Sequence, residues 1–138
     1  MIQFQNMRKD WYLLPEETRE HGLDFHWDNQ KVWKLDIPTE EMDIKEIKWI
    51  MEINFWWKDD MGNTISPNEV LANLDMYPDH KDRILYADTS YPLDIMKNRH
   101  GRWLTLDGLH RLAKLIINNE TKIIVRKISR ELIPIIEK

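Results

Sequence analysis

The stretch from residue 93 to residue 106 constrains the fold most, because its hydrophobic pattern is that of two short strands in succession. Leu93 and Ile95 alternate with Asp94 and Met96, and Leu104 and Leu106 alternate with Trp103 and Thr105. Alternation with a period of two is typical of half-buried strands. A polar loop at 97–101 separates the two runs, and its Asn and Gly residues favour a turn. The pattern therefore predicts a β-hairpin.

The pattern then changes to a helical period. From Leu109 onward, Leu112, Ala113 and Ile116 recur at the spacing of one helix face, and Asn118-Asn119 is a plausible helix end. Residues 122–128 are rich in Ile and Val, which favours a final strand. The predicted order is strand, strand, helix, strand.

The sequence Asp107-Gly108-Leu109-His110-Arg111 joins the second strand to this helix. A helix start offers backbone N–H groups without partners and the positive end of a dipole, and an arginine adds a bidentate positive charge. This combination predicts a site for a phosphate or a nucleotide. We also expect Asp107 to cap the helix through its side chain, which contributes about 1 kcal/mol.

Charge is distributed unevenly along the chain. Residues 1–96 hold 10 Lys and Arg against 20 Asp and Glu, whereas residues 97–130 hold 9 against 2. The positive segment contains the predicted phosphate site, so its local charge favours an anion there. The acidic remainder disfavours a broad nucleic-acid surface, which usually requires a basic face. The alternative is that such linear charge blocks average out on folding.

The first two thirds of the chain carry weaker signals. A helix is predicted around Glu16–His21, and the alternation of Trp33, Leu35 and Ile37 predicts a strand that Pro38 ends. Asp43 with Glu46 resembles a capping box before a helix. Ser66-Pro67-Asn68-Glu69 is a stronger helix start, with a capping serine and a proline at the first helical position.

Length and composition place the chain in a broad class. Its 138 residues predict one domain, with an N-terminal extension at 1–31, a core at 32–129 and a tail at 130–138. The chain has no cysteine, which excludes disulfides and thiolate chemistry. No apolar run approaches the ~20 residues of a membrane span, and the N-terminus lacks an apolar signal core. We therefore expect a cytoplasmic protein without a membrane partner.

Three segments together resemble the ParB/sulfiredoxin superfamily: Tyr91-Pro92-Leu93-Asp94-Ile95, the run from Leu104 to Ala113 with its Asp-Gly-x-His-Arg sequence, and Ile123–Ile128. The superfamily pattern is a proline-hydrophobic strand, a strand ending in this motif, a helix and a last strand. Similarity covers roughly residues 83–129 and, more weakly, residues 32–42. The resemblance implies an α+β fold, with a small mixed or antiparallel sheet and packed helices.

The resemblance also implies a ligand. Members of the superfamily bind nucleotide phosphates at the helix start, and they include CTP-binding partition proteins, sulfiredoxin and free serine kinases. Carried over to this chain, Gly108 lets the backbone approach a phosphate, and Leu109, His110 and Arg111 surround it. Asp107 orients the loop or holds Mg²⁺ through water, and Lys114 adds charge. The implied ligands are ATP, ADP or CTP with Mg²⁺, or a phosphorylated small molecule.

Two activities of the superfamily are not expected here. The sulfiredoxin turn contains a catalytic cysteine, whereas this chain has Leu109 at that position and no cysteine at all. Partition proteins continue into a helix-turn-helix region, whereas about ten residues follow the last predicted strand here.

Three classes of function stay open. A Mg²⁺-dependent phosphotransferase or nucleotide hydrolase would need a carboxylate base, for which Glu40, Glu41 and Asp88 are candidates, and His110 is a further catalytic candidate. The second class is a non-catalytic nucleotide-binding regulatory module that acts through a partner protein. The third class is a nucleic-acid-binding or nuclease domain, which the acidic residues disfavour.

Each predicted site residue also has a purely structural interpretation. Gly108 is suited to a tight turn, Arg111 to an ordinary ion pair, and an isolated histidine such as His110 is more often structural than catalytic. Four of the seven tryptophans are candidates to stack a nucleobase, although such residues more often pack in a core; they are Trp49, Trp56, Trp57 and Trp103.

Overall fold

A four-stranded mixed sheet is the largest element of the computed structural model, which describes residues 15–59 and 61–138. The strands are β1 (Thr39–Asp43), β2 (Trp56–Trp57), β3 (Thr64–Ile65), β4 (Leu93–Lys97), β5 (Trp103–Asp107) and β6 (Lys122–Lys127). The helices are α1 (Glu16–His21), α2 (Asn29–Trp33), α3 (Pro67–Ala72), α4 (Pro78–Leu85), α5 (Leu109–Ile117) and α6 (Ile133–Ile136). The large sheet has the order β1-β6-β4-β5, and β2 pairs with β3 separately. The α+β class is therefore confirmed.

The predicted hairpin is present as the antiparallel pair β4 and β5. Its loop closes because the Asn98 side chain accepts hydrogen bonds from the backbone N–H groups of His100 and Arg102. Gly101 supplies the left-handed backbone conformation that this turn requires, with a φ of 79°. Near its other end, the pairing is shifted between Asp94 and Ile95, so that Asp94 lies opposite Asp107. This irregularity brings two carboxylates to the same end of the sheet.

Helix α5 and strand β6 also form as predicted. Leu109, Leu112 and Ala113 are fully buried, so the apolar face of α5 packs on the core. After α5, Asn119 turns the chain with a φ of 58°. Strand β6 then enters the sheet parallel to β4 and antiparallel to β1. The end of β5, the start of α5 and the beginning of β4 consequently meet at one end of the sheet.

The strand predicted at residues 33–37 is wrong. Trp33 is the last residue of α2, and β1 begins at Thr39, after Pro38 rather than before it. Asp28 explains the difference, because its carboxylate accepts a hydrogen bond from the Gln30 N–H and so caps α2. The cap thus accounts for Trp33 being helical, and residues 34–38 connect α2 to β1.

The helix predicted after Asp43 exists only as two 3₁₀ segments, Ile44–Glu46 and Lys48–Glu52. Asp43 caps the first segment through the Lys45 N–H, and not through the N–H of Glu46 as in a capping box. The backbone of Ile47, with φ and ψ of −126° and −12°, leaves the helical region and separates the two segments. The expected apolar side chains are still buried: Ile44 in the first segment, Met51 in the second, and Ile47 between them.

One hydrophobic core includes residues from the segments predicted to be an extension and a tail. Leu23, Phe25 and Trp27 are buried in it together with Ile136. The Trp27 indole is fully buried and donates a hydrogen bond to the carbonyl oxygen of Leu106, at 3.0 Å. Among the described residues, no helix has the length and apolar composition that crossing a membrane would require.

Substitution of Ser66 tests the cap that starts α3. The Ser66 hydroxyl accepts a hydrogen bond from the Glu69 N–H at 3.2 Å. We expect Ser66→Ala to reduce the free energy of unfolding by about 1 kcal/mol, since that N–H loses its side-chain acceptor and keeps only the backbone carbonyl oxygen of Ser66, at 3.1 Å. Urea unfolding measures the change. Ser66→Thr keeps the hydroxyl and should retain most of the stability, whereas an equal loss in both variants would contradict a capping role.

Candidate functional site

A cavity of about 730 Å³ opens at the end of the sheet where β5 ends and α5 begins. Its volume lies within the roughly 300–1,000 Å³ that is usual for small-molecule sites. Its lining combines charged and aromatic side chains with two residues of the predicted motif, Gly108 and His110. The charged side chains are Asp88, Asp94, Asp107, Arg111 and Arg126, and the aromatic ones are Trp33 and Tyr91.

Arg111 lies in this cavity and is held by two hydrogen bonds. One terminal nitrogen donates to the carbonyl oxygen of Pro92 at 2.6 Å, and the other donates to Oδ2 of Asp107 at 3.0 Å. The same Asp107 oxygen accepts a hydrogen bond from Nε1 of Trp33 at 2.9 Å. A guanidinium group has five N–H donors, so three donors of Arg111 have no partner among the described residues. Arg111 is thus fixed in position and retains the capacity to bind an anion.

Arg126 and Asp94 form a second, more deeply buried ion pair in the cavity wall. Nε of Arg126 donates to Asp94 at 2.6 Å, and its terminal nitrogens donate to the carbonyl oxygens of Val32 and Leu35. Burial raises the pKa of Asp94 above the usual value, against the opposing effect of Arg126. Sequence reasoning did not identify this pair. Its only signal was one charged residue among the interior positions of each of the two strands, whose other charged residues lie at the strand ends.

His110, which is partly buried, forms an aromatic cluster with the fully buried side chains of His80 and Trp56. Each imidazole stacks on the Trp56 indole with a centroid distance of 4.4 Å, and the planes are tilted by only 11° and 16°. The two imidazole centroids are 5.4 Å apart, so both rings lie on the same face of the indole. Nε2 of His110 is 3.1 Å from Nδ1 of His80. Sequence reasoning missed His80, which lies 30 residues before His110.

The hydrogen bonds of this cluster determine where its protons are. Nε2 of His80 is 2.9 Å from the carbonyl oxygen of Trp57, which only accepts, so His80 carries its proton on Nε2. Its Nδ1 is then an acceptor, and Nε2–H of His110 donates to it. Burial lowers the pKa of His110 to about 3, and the neighbouring His80 shifts it in the same direction. His110 is therefore a neutral ring at pH 7, and its Nδ1 is a hydrogen-bond acceptor rather than a source of positive charge.

The predicted side-chain cap on α5 is wrong. The N-cap residue is Gly108, which has no side chain, and the Asp107 carboxylate points instead to Arg111 and Trp33. The first intrahelical donor is the N–H of Leu112, which bonds to the carbonyl of Gly108. The N–H groups of residues 109–111 precede it and remain at the helix start.

The other predicted ligand-binding residues differ in position. The side chain of Leu109 is fully buried in the core, so only its backbone faces the helix start. Lys114 does not line the cavity, because its ammonium donates to the carbonyl oxygens of Leu85 and Ala87 at the end of α4. Of the six predicted residues, the cavity lining contains Asp107, Gly108, His110 and Arg111.

Of the three carboxylates predicted as general bases, only Asp88 reaches the cavity. Glu40 and Glu41 lie within β1, which is the edge strand on the opposite side of the sheet from β5. Glu40 pairs there with Lys127 at 2.9 Å. Asp88 accepts hydrogen bonds from the backbone N–H and the hydroxyl of Ser90, and these bonds lower its pKa. A carboxylate with a lowered pKa is a weak base.

The cavity does not form a metal centre from protein ligands alone. Among residues 15–59 and 61–138, no three side chains of His, Asp or Glu are grouped so that they would hold an ion. Asp107 is the predicted Mg²⁺ ligand. Its Oδ2 accepts the hydrogen bonds from Trp33 and Arg111, and its Oδ1 accepts none from the described residues. Because Mg²⁺ usually takes only one or two protein carboxylates, Asp107 and Asp88 are the residues of the lining that could contribute to such a site.

The tryptophans predicted to stack a base lie elsewhere. Trp56 is covered by the two histidines, and Trp103 lies beneath the ammonium groups of Lys97 and Lys127. Cζ of Arg102 lies over the Trp49 ring, 3.7 Å from its centroid. Trp33, which the sequence analysis assigned to a strand, lines the cavity instead.

Comparisons of this chain with protein-family models, with curated proteins and with solved structures find no match.

Replacement of Gly108 tests what the glycine does for the fold. Its φ is 113°, and a Cβ atom would lie 2.6 Å from Cδ2 of Leu93 and 3.3 Å from Cζ of Arg111. Gly101 has a φ of 79° but open space around it, so it is a matched control. We expect Gly108→Ala to cost at least about 1 kcal/mol more than Gly101→Ala in urea unfolding, because only Gly108 adds a collision to the backbone strain. An equal loss of unfolding free energy in the two variants would contradict a collision at Gly108.

The neutral His110 predicts a pH dependence of stability. Its pKa is about 3 in the folded chain and 6.5 for a free imidazole, so the unfolded chain binds more protons between these values. The contribution of His110 to the free energy of unfolding is therefore fully present above pH 6.5 and is lost as the pH falls towards 3. We expect the urea midpoint to be lower at about pH 4.5 than at about pH 7. His110→Gln keeps a donor for His80 without titrating, and it should reduce the difference between the two midpoints. The same difference in both proteins would refute this assignment.

Proposed function

We propose that this chain is a nucleotide-binding domain of the ParB/sulfiredoxin type, and that it binds phosphate groups in the cavity at the start of α5. The observation that carries the proposal is the meeting of two kinds of anion-binding group in one cavity. Three N–H donors of Arg111 have no partner among the described residues, and the backbone N–H groups of His110 and Arg111, which both belong to the cavity lining, lie at the helix start. The order β4, β5, α5, β6 supports the same superfamily, since it follows the order of elements in that pattern.

Mg²⁺ fits this proposal because the cavity is not strongly positive. Arg111 pairs with Asp107 and Arg126 pairs with Asp94, which leaves Asp88 as an additional negative charge. A bare triphosphate would be repelled by these carboxylates, whereas a Mg²⁺-bound nucleotide brings a cation that they attract. We therefore propose a Mg²⁺-nucleotide such as ATP, ADP or CTP as the ligand.

Among the open classes, we favour a binding module over an enzyme. A phosphotransferase or a hydrolase needs a base at the attacking oxygen. Glu40 and Glu41 lie outside the cavity, Asp88 has a lowered pKa, and Nδ1 of His110 belongs to an imidazole whose pKa is about 3. All the candidate bases are thus weak or remote, which is consistent with binding that regulates a protein partner. The carboxylates in the cavity also disfavour the nucleic-acid-binding alternative, because they repel a phosphate backbone.

Titration calorimetry with ATP, ADP and CTP in the presence of Mg²⁺ tests the proposal. We expect at least one nucleotide to bind the wild-type chain, and Arg111→Ala to weaken that binding about tenfold or more, since charged hydrogen bonds to phosphate are lost. Arg111→Lys keeps the charge but not the planar donor group, so it should recover only part of the affinity.

Arg99→Ala is the matched control, because it removes the same charge from an exposed arginine that pairs with Glu20 outside the cavity. Its nucleotide affinity should equal that of the wild type. Absence of binding to the folded wild type at millimolar concentration would reject the proposed function. Equal affinity in wild type and Arg111→Ala would reject the assigned site.

A further inference from the structure

Two exposed aromatic side chains line the same cavity as Arg111. Trp33 exposes 57% of its surface and Tyr91 exposes 65%. Single exposed aromatic residues are common on protein surfaces. Here, however, both line one cavity together with the guanidinium of Arg111, which has three N–H donors without a partner among the described residues. The cavity therefore combines flat apolar surface with a group that binds anions.

The Trp33 ring is held in place before any ligand arrives. Its Nε1 donates to Oδ2 of Asp107 at 2.9 Å, which ties the edge of the indole to the end of β5. The helix that carries Trp33 is itself capped by Asp28 and anchored where Arg126 binds the Val32 carbonyl. A ring that is already ordered loses little conformational entropy when a ligand stacks on it, so its contact area adds efficiently to affinity.

The distance between the indole and the guanidinium restricts the class of ligand. Nε1 of Trp33 and a terminal nitrogen of Arg111 are within about 6 Å of each other, because each lies about 3 Å from the same Asp107 oxygen. A ligand that uses both groups needs a planar ring and an anionic group joined by a short spacer. A nucleoside phosphate has this construction, since its sugar separates base and phosphate. Inorganic phosphate and phosphorylated sugars lack the ring.

We propose that Trp33 is the base-stacking residue of this cavity, with Tyr91 as a second aromatic wall, and that the ligand is recognised as a nucleoside phosphate. This inference rests on the proposed function, because it assumes that phosphate groups bind at Arg111. It adds that the nucleobase contributes to affinity through the indole face. Stacking tolerates any base, so the contact selects nucleotides as a class.

Two substitutions separate the ring from its hydrogen bond. Trp33→Phe and Trp33→Ala both lack the N–H that reaches Asp107, so the difference between them reports the ring alone. Binding of ATP and of inorganic tripolyphosphate, each with Mg²⁺, is measured by calorimetry on both variants and on the wild type. Tyr86→Ala is the control, since it removes an aromatic ring that is 85% exposed and is not part of the cavity lining. Thermal unfolding verifies that each variant is folded.

We expect ATP to bind Trp33→Ala roughly 5- to 150-fold more weakly than Trp33→Phe, which is the range for loss of one base–aromatic stack. Tripolyphosphate should bind both variants equally and should bind the wild type more weakly than ATP does. Tyr86→Ala should behave as the wild type. Equal ATP affinity in the two Trp33 variants, or equal affinity of the wild type for ATP and tripolyphosphate, would overturn the stacking role while leaving the phosphate site intact. Failure of both ligands to bind the wild type would instead reject the proposed function, and the inference with it.

Discussion

The guanidinium of Arg126 holds together the part of the molecule on which the cavity depends. It bonds to Asp94 on β4 and to the carbonyl oxygens of Val32 and Leu35, and it extends from β6 itself. Two strands of the sheet, the last turn of α2 and the segment that follows it therefore share one buried cation. Removing one partner of such a buried pair typically costs about 3–5 kcal/mol, because the remaining charge has lost both its partner and water. This anchor ties α2, which carries Trp33, to β4 and β6 of the sheet.

Much of the hydrogen-bonding capacity of the Asp-Gly-x-His-Arg motif is used by the protein itself. Asp107 orients Trp33 and Arg111, Gly108 makes room for Leu93, and His110 completes a stack with His80 on Trp56. Within the motif, Arg111, the backbone at the start of α5, Oδ1 of Asp107 and one nitrogen of His110 keep donors or acceptors for another molecule. The structural and the ligand-binding interpretations of the motif are therefore compatible, because the internal bonds are what hold these remaining groups in place.

The sequence predicted the C-terminal part of the fold well, for a local reason. The hairpin, α5 and β6 each follow from hydrophobic periodicity within a few residues, and Ser66 caps its helix through an adjacent N–H. The prediction failed at residues 33–37, because Trp33 belongs to the helix that Asp28 caps and strand pairing begins only at Thr39. It also placed Glu40 and Glu41 after a strand when they lie within one. Those two errors removed Trp33 from the predicted site and added two remote carboxylates to it.

By itself the sequence determined the α+β class, the strand-to-helix junction at Asp107 and the presence of Arg111 at the start of α5, since each depends on neighbours in the chain. Only the tertiary structure decided which distant groups meet there. His80 approaches His110 across 30 residues, Arg126 approaches Asp94 across 32, and Trp33 approaches Asp107 across 74. These contacts are made between elements that sheet order and core packing bring together, and no local pattern encodes them. They also decide the chemistry, because they make His110 neutral, leave Arg111 with donors to spare and place an indole beside it.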